Sequence, residues 1–197
     1  AILSAIEKND FSSLGISSSN VNVIVIMNES FADLKEICDN SGSETRLETN
    51  KEILPYWNSI QSGVFTDENG NIETFIKGNA LSSVYGGNTA NSEYEFLSGT
   101  SMAFAPEGSV LYNGKITEDN SYTLVDFFNA AGYKTVGIHP ENPGNWSRNS
   151  VYKYFGFDEL YFKSDFKGLS KDDYYRGHVS DKAIYDKIIS MYETKED

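Results

Sequence analysis

Residues 121–140 read SYTLVDFFNAAGYKTVGIHP, and this stretch decides the fold class. A serine able to cap a helix precedes an apolar stripe, Gly132 is a stop signal, and the β-favouring run at 133–138 predicts a strand. A second strand is predicted at 21–27, VNVIVIM, because its almost continuous apolar, β-branched run is typical of a strand buried on both faces. Strands that alternate with helices indicate an α/β fold with a largely parallel central sheet flanked by helices.

The remaining segments complete a predicted layout around these two strands. We predict a helix at 50–61, a hairpin with an Asn-Gly turn at 63–78, a helix at 91–98 and a closing amphipathic helix at 179–197. Residues 1–20 are predicted to be a lead-in helix and a Ser/Gly/Asn linker, followed by one domain at 21–197. The chain starts at Ala1 and ends on a helix where the alternation calls for another strand, so we expect a truncated piece of a longer protein.

Composition excludes several classes of function. The chain has 197 residues, 29 acidic and 16 basic side chains, and a formal net charge of -13. A field of that sign repels polyanions, so we expect no nucleic-acid partner. Cys38 is the single cysteine, which rules out an internal disulfide and disfavours a structural zinc cluster. The longest apolar runs are strand-sized, and no signal-peptide pattern opens the chain.

Two oxygen-bearing side chains lie at predicted element ends. Glu29 directly follows the strand at 21–27, where α/β sheets gather ligands, and its carboxylate can ligate Mg²⁺ or Mn²⁺ or simply cap a helix or face solvent. Thr89 follows Gly86-Gly87 at the start of a helix. Its hydroxyl is either a helix cap or a metal ligand activated as a nucleophile, and the helix N-terminus behind it favours a phosphate.

A third group of candidate residues follows the predicted strand at 133–138. The segment HPENPGNWSRNSVYKYFGFDE brings His139, Trp146 and Arg148 to the strand end and the loop after it. The guanidinium of Arg148 matches a phosphate oxygen pair, and Trp146 offers a flat wall to a small polyol. The alternatives are a core role for Trp146 and a surface ion pair for Arg148. His178 is expected to be a surface or capping residue.

Three motifs carry a resemblance to a known enzyme family. NVIVIMNES, GGNTANSEYEF and NWSRNSVYKYFGFDE occur in this order between residues 22 and 159. In that order they resemble the motifs of bacterial lipoteichoic acid synthases and related phosphoglycerol transferases. These enzymes belong to the alkaline phosphatase/sulfatase superfamily, so the resemblance implies that superfamily's α/β fold.

The resemblance also implies roles for individual residues. Glu29 and Thr89 would bind one divalent metal, Mn²⁺ or Mg²⁺, and Thr89 would be the nucleophile. Trp146, Arg148 and His139 would line the glycerol phosphate pocket. The implied reaction takes glycerol phosphate from a phosphatidylglycerol-type lipid headgroup and passes it to a polyol or glycan hydroxyl. The implied location is the extracellular face of the bacterial cell membrane, with a transmembrane region in the parent protein outside this chain.

The chain departs from the family pattern in one respect. The family completes its metal site with a later Asp-His pair, whereas His139 and His178 are the only histidines here and neither follows an aspartate. We therefore expect the amino-terminal portion of a catalytic domain, with weak or absent metal binding and no turnover by itself. Two other functions stay open, a phosphatase- or sulfatase-type hydrolase and a non-catalytic extracellular binding module. The sulfatase version is disfavoured because Cys38, in EICDNSGSE, lacks a CxPxR-type motif.

Overall fold

A computed structural model describes residues 22–28, 31–34, 37, 42, 51–60, 63–67, 69–76, 78, 80–117 and 122–195. The chain divides into two compact units, one of residues Ile26–Leu81 and one of Ala1–Val25 with Ser82–Asp197. The predicted lead-in helix and linker at 1–20 lie outside the described residues.

The unit of residues 26–81 contains the predicted helix and hairpin. Helix α1 spans Pro55–Ile60, and strands β1 (Val64–Thr66) and β2 (Ile72–Thr74) pair antiparallel. The helix begins at the proline because Pro suits the first helical position, where its missing N–H costs nothing. The Asp67 carboxylate closes the hairpin by accepting hydrogen bonds from the backbone N–H groups of Asn69 (2.9 Å) and Asn71 (2.7 Å). The hairpin prediction is confirmed.

The other unit holds further helices and strands among its described residues. Its helices are α2 (Thr89–Ser98), α3 (Leu124–Ala130), α4 (Arg148–Tyr154) and α5 (Asp181–Thr194). Its strands are β3 (Val136–His139), β4 (Glu159–Phe162), β5 (Tyr174–Tyr175) and β6 (His178–Val179). Short 3-10 turns occupy Met102–Phe104, Asn145–Ser147, Lys163–Asp165 and Lys171–Asp173. The helix predicted at 91–98 is confirmed, and the closing helix predicted at 179–197 is confirmed over Asp181–Thr194.

A parallel strand pair is the centre of this unit. β3 pairs with β4 in parallel, in a register that runs from Val136 opposite Glu159 to His139 opposite Phe162. Helix α4 lies in the crossover between the two strands, as parallel pairing requires. The α/β fold class is therefore confirmed. No helix in the described part of the chain is long and apolar enough to cross a membrane.

The entry to α3 is capped two residues later than predicted. Thr123 is the N-cap: its side chain accepts from the Val125 N–H (3.2 Å), and the Asp126 carboxylate accepts from the Thr123 N–H (2.7 Å). This capping box satisfies two otherwise unpaired donors. Ser121, the predicted cap, lies outside the described residues. Gly132 ends the helix region with a φ of 83°, and the strand then starts at Val136.

The core lies between α2, α3, α4 and the parallel pair. Its buried apolar members are Ala90, Tyr112, Ile116, Val125, Val151, Tyr152, Phe155 and Phe162. Gly137 allows the close packing here, because a Cβ at that position would lie 2.9 Å from Leu160 Cδ2 and 3.3 Å from Tyr152 Cδ2.

The strand prediction at 21–27 is wrong for the described residues. Residues 22–28 form no strand, and the side chains from Val23 to Met27 are 47–57% exposed. The β propensity of such a run reflects packing against neighbouring strands rather than an intrinsic backbone preference. An apolar run therefore identifies a candidate strand, but it does not specify the neighbouring strand with which that strand would pair.

Candidate functional site

Thr89 is the first helical residue of α2, directly after a left-handed turn. Gly86, Gly87 and Asn88 have φ values of 72°, 94° and 64°, so the chain turns tightly before the helix begins. Glycine adopts this region without steric cost, and Asn tolerates it. Asn88 occupies the N-cap position, and its side chain makes no cap hydrogen bond. The structure therefore places Asn88, not Thr89, at the cap, and Thr89 one residue inside.

Glu93 and Arg148 form the centre of the candidate site. The Glu93 carboxylate accepts hydrogen bonds from Arg148 Nε (3.1 Å) and Nη2 (2.8 Å), and from the hydroxyl of Tyr112 (3.1 Å). Arg148 is only 2% exposed, so this is a buried pair, and the surface-pair interpretation of Arg148 is wrong. Burial lowers the pKa of Arg148 and the contact with Glu93 raises it, with a raised pKa as the result.

His139, at the carboxyl end of β3, joins this pair. Its Nε2 lies 3.3 Å from Arg148 Nη1, and the same Nη1 is 3.4 Å from the carbonyl oxygen of Asn145. Burial, followed by the positive charge of Arg148, lowers the pKa of His139 to about 4. The imidazole is therefore neutral at pH 7, which leaves one ring nitrogen as an acceptor.

Trp146 and Ser147 hold the loop in an unusual conformation just before Arg148. Both residues are left-handed, with φ and ψ of 55° and 27° for Trp146 and 55° and 25° for Ser147. Such a conformation is strained for a bulky side chain, and strain of this kind persists only where surrounding contacts over-determine it. Trp146 is half-buried and packs against the core, as in the alternative considered for it, and its place in a substrate pocket stays a prediction.

Two tyrosines make the surroundings of the ion pair poorly solvated. Burial and the nearby Glu93 charge raise the pKa of Tyr112 and of Tyr152 well above the ordinary value. The same low-dielectric surroundings strengthen the Glu93–Arg148 attraction. The site is thus a dry, preorganised cluster rather than a mobile surface pair.

The structure therefore brings His139, Arg148 and the Thr89 helix together through Glu93, a residue that the sequence prediction missed. Glu93 lies one helical turn after Thr89, inside the motif GGNTANSEYEF. The i, i+4 spacing of Thr89 and Glu93 could have identified Glu93 as a site residue, because it places both side chains on one face of the helix. Glu29 lies outside the described residues, so its role as a metal ligand stays a prediction.

His178 is exposed as expected but caps no helix. The N-cap of α5 is Ser180, whose side chain accepts from the Ala183 N–H at 3.2 Å. His178 lies instead in β6, where its Nδ1 contacts the carboxylate of Glu141.

A divalent metal fits only part of the described site. Among the described residues, no three His, Cys, Asp or Glu side chains lie close enough together to hold a metal ion. The carboxylate on the Thr89 helix that reaches the site, Glu93, already accepts bonds from Arg148 and Tyr112. Thr89 offers a hard oxygen, the ligand type that Mg²⁺ and Mn²⁺ prefer, and its role as a metal ligand stays a prediction.

Comparison with known proteins places this chain in a family. The family described as Sulfatase matches residues 21–197. A protein named for cyclic beta-1,2-glucan modification in Rhizobium meliloti (strain 1021) is 33% identical over 89% of this chain and 23% of its own length. The lipoteichoic acid synthase of Staphylococcus aureus (strain USA300) is 28% identical over 74% of this chain and 21% of its own length.

One solved structure is similar over part of the chain. The crystal structure of the lipoteichoic acid synthase LtaP from Listeria monocytogenes aligns with a TM-score of 0.48 and 21% identity, over 57% of this chain and 26% of that one. The chain spans about a fifth to a quarter of the length of the curated relatives named above.

Proposed function

The chain belongs to the sulfatase family, and on that premise we propose that it provides the nucleophile and part of the substrate pocket of a phosphoglycerol transferase. The observation that carries the proposal is the buried Glu93–Arg148 pair, which joins the helix that begins at Thr89 to the loop of Trp146 and to His139. Three segments far apart in sequence thereby meet at the Glu93–Arg148 pair, and the helix that carries Glu93 begins at Thr89. The similarity to a lipoteichoic acid synthase supports the phosphoglycerol substrate.

The proposed chemistry is a double displacement. The Thr89 oxygen attacks the phosphorus of a phosphatidylglycerol-type lipid, the bond to the lipid oxygen breaks, and diacylglycerol leaves with a proton. The glycerophosphoryl group is then attached to Thr89. An acceptor hydroxyl attacks the same phosphorus, gives up its proton, and restores the free threonine. Acceptors of two classes fit, a polyol and a glycan, and the relative named for glucan modification supports the second.

The chain's own residues orient the phosphate in this proposal. Nε and Nη2 of Arg148 donate to Glu93, whereas Nη1 has longer contacts, 3.3 Å to His139 Nε2 and 3.4 Å to the Asn145 carbonyl oxygen. Both contacts are longer than a typical hydrogen bond, so Nη1 is the group that we propose donates to a phosphate oxygen. Neutral His139 hydrogen-bonds a glycerol hydroxyl, and the backbone N–H groups at the start of α2 favour the phosphate charge.

A divalent ion is part of the proposed site. Bound by Thr89 and Glu29, it would lower the pKa of the threonine hydroxyl and neutralise charge on the phosphoryl oxygens. We further propose, from the same resemblance, that the reaction takes place at the extracellular face of a bacterial membrane, where such a lipid headgroup is presented.

The fate of the transferred group tests the proposal. The gene product that contains this chain is incubated with phosphatidylglycerol labelled in its glycerol headgroup, with a polyol or glycan acceptor present. We expect label to move to the acceptor and diacylglycerol to be released in equal amount. Label found only in free glycerol phosphate would identify a hydrolase instead, and no release of diacylglycerol would contradict both enzymes and leave a binding module.

A further inference from the structure

A short hairpin stands at the carboxyl ends of β3 and β4. Strands β5 and β6 pair antiparallel, with Tyr175 opposite His178, and Arg176 and Gly177 form the two-residue turn. Both turn residues are left-handed, with φ values of 51° and 85°, as a type I′ hairpin turn requires. Gly is suited to that region and Asn tolerates it, whereas Arg at Arg176 is a strained choice.

Two polar contacts tie this hairpin to the ends of the parallel strands. Lys163, directly after β4, donates from Nζ to the carbonyl oxygen of Gly177 at 2.8 Å. Glu141, just after β3, contacts the ring of His178 through one oxygen and lies 3.5 Å from Lys163 Nζ through the other. The result is a half-exposed set of hydrogen-bonding groups in which a carboxylate stands between an imidazole and an ammonium.

The hairpin also presents an aromatic face. Tyr175 is 66% exposed, and the guanidinium of Arg176 lies 5.2 Å from its ring centroid. The strained turn therefore holds the Arg176 guanidinium against the Tyr175 ring, and most of Tyr175 stays exposed to solvent. The exposed ring offers an apolar face with a polar hydroxyl at its tip.

This face adjoins the candidate site. The Glu141 backbone N–H donates to the carbonyl oxygen of His139 at 2.8 Å, and the Lys163 N–H donates to the carbonyl oxygen of Glu141 at 3.1 Å. The exposed groups of the hairpin and the His139–Arg148 contact thus share the carboxyl edge of the two parallel strands, which is where open α/β sheets bind ligands.

We propose that the hairpin of residues 174–179 is a docking site for the sugar rings of a glycan acceptor, which deepens the proposed transferase function and rests on it. Tyr175 offers a flat apolar surface to the C–H face of a ring. The imidazole of His178 and the ammonium of Lys163 donate to ring hydroxyls, and the Glu141 carboxylate accepts from them. A linear polyol has hydroxyls but no rigid ring face to stack, so the exposed tyrosine favours the glycan class.

The test measures binding directly, without turnover. A β-glucan oligosaccharide is titrated into the protein and the dissociation constant is measured by calorimetry, with a glycerol phosphate oligomer as the polyol arm. We expect the glucan to bind, Tyr175→Ala to weaken its binding about tenfold or more, and Tyr175→Phe to keep it, because the ring is retained. Tighter binding of the polyol oligomer than of the glucan, or equal glucan binding by wild type and Tyr175→Ala, overturns the proposal.

A matched control separates the hairpin from tyrosines in general. Tyr192 on α5 is 53% exposed and also has a cation nearby, Lys195 Nζ at 5.4 Å from its ring centroid. Tyr192→Ala should bind the glucan as wild type does, and an equal loss in Tyr192→Ala and Tyr175→Ala contradicts a site at the hairpin.

A second variant keeps the proposal testable if the Tyr175→Ala hairpin loses its structure. Arg176→Asn suits a left-handed turn better, so it should raise the melting temperature, and it should still weaken glucan binding because the cation no longer orients Tyr175. A raised melting temperature with unchanged binding identifies a plain turn and overturns the docking site.

The failure of this proposal can be told apart from failure of the transferase. Thr89→Ala should bind the glucan normally, since Thr89 lies outside the hairpin. Glucan binding by the protein with no transfer to any acceptor would leave the docking site standing and contradict the transferase. Transfer to a polyol by a protein that does not bind the glucan would support the transferase and contradict the docking site.

Discussion

Arg148 Nη2 lies 2.8 Å from Glu93 Oε2, and the two side chains are 3% and 13% exposed. The contact joins residues 55 positions apart in sequence. It fixes the start of α4 against α2, the helix that begins at Thr89. A buried charge without its partner is costly, so this pair constrains stability as well as geometry.

Loss of the Glu93 charge should therefore destabilise the fold. Glu93→Gln leaves the Arg148 guanidinium buried and unpaired, and we expect the free energy of unfolding to fall by about 3–5 kcal/mol, measured by urea denaturation. Asp186→Asn is the matched control, because the Lys182–Asp186 pair is exposed and worth about 0.5 kcal/mol or less. Equal effects of the two substitutions would contradict a buried, structural pair.

The histidine of the site predicts a pH dependence. The pKa of His139, lowered by burial and by Arg148 to about 4, lies below its unfolded value of 6.5. The unfolded chain binds the proton more readily between these values, so stability should fall as pH drops from 6.5 toward 4. His139→Asn should reduce that slope, and the ring should titrate near pH 4 by NMR. Titration of the ring near pH 6.5 would count against its burial beside Arg148.

The carboxylate of Glu95 predicts a second pH dependence of stability, in a more acidic range than that of His139. Burial raises the pKa of Glu95, but hydrogen bonds from Ser83, Met102 and Ser82 lower it to about 2, against an ordinary 4.5. Its contribution to stability is present above pH 4.5 and lost as pH falls toward 2. Glu95→Gln should flatten the stability profile in that window. Glu107→Gln, on the exposed surface, controls for loss of a negative charge, and an identical profile for both variants would refute the network.

Close packing of the parallel pair predicts intolerance at Gly137. Its alanine Cβ would meet Leu160 Cδ2 at 2.9 Å and Tyr152 Cδ2 at 3.3 Å, so Gly137→Ala should cost about 1–3 kcal/mol in thermal or urea unfolding. Gly144→Ala is the control, since its Cβ would only approach the flexible side chain of Asn142 at 3.4 Å and its φ is −74°. A neutral Gly137→Ala would show that β3 and α4 are less tightly packed than the structure has them.

Local patterns predicted the elements whose signals lie within a few residues. The Asn-Gly turn between β1 and β2, the strand before His139 and the amphipathic α5 were all recognised from spacing and turn chemistry. These features depend on local backbone preference, which a single sequence carries. The alternation of strands and helices predicted the α/β fold class, and the similarity of the three motifs to a known family then pointed to the superfamily.

Long-range contacts could not be predicted in the same way. The run at 21–27 has strand propensity, but a strand needs partners that its own residues do not specify. The choice of Glu93 as the partner of Arg148, and of Glu141 as the contact of His178, depends on which segments the fold brings together. Sequence reasoning therefore placed His139, Trp146 and Arg148 in one loop region but missed the carboxylate that connects them to the Thr89 helix.

The most direct measurement is the mass of the peptide that contains Thr89 after reaction with phosphatidylglycerol. The gene product is mixed with the lipid without acceptor, quenched in acid and digested. We predict a glycerophosphoryl adduct on Thr89, absent from Thr89→Ala and retained in Thr100→Ala, a control with an exposed threonine beyond the end of the same helix. Diacylglycerol release by Thr89→Ala at the wild-type rate, with no adduct at Thr89, would contradict the account.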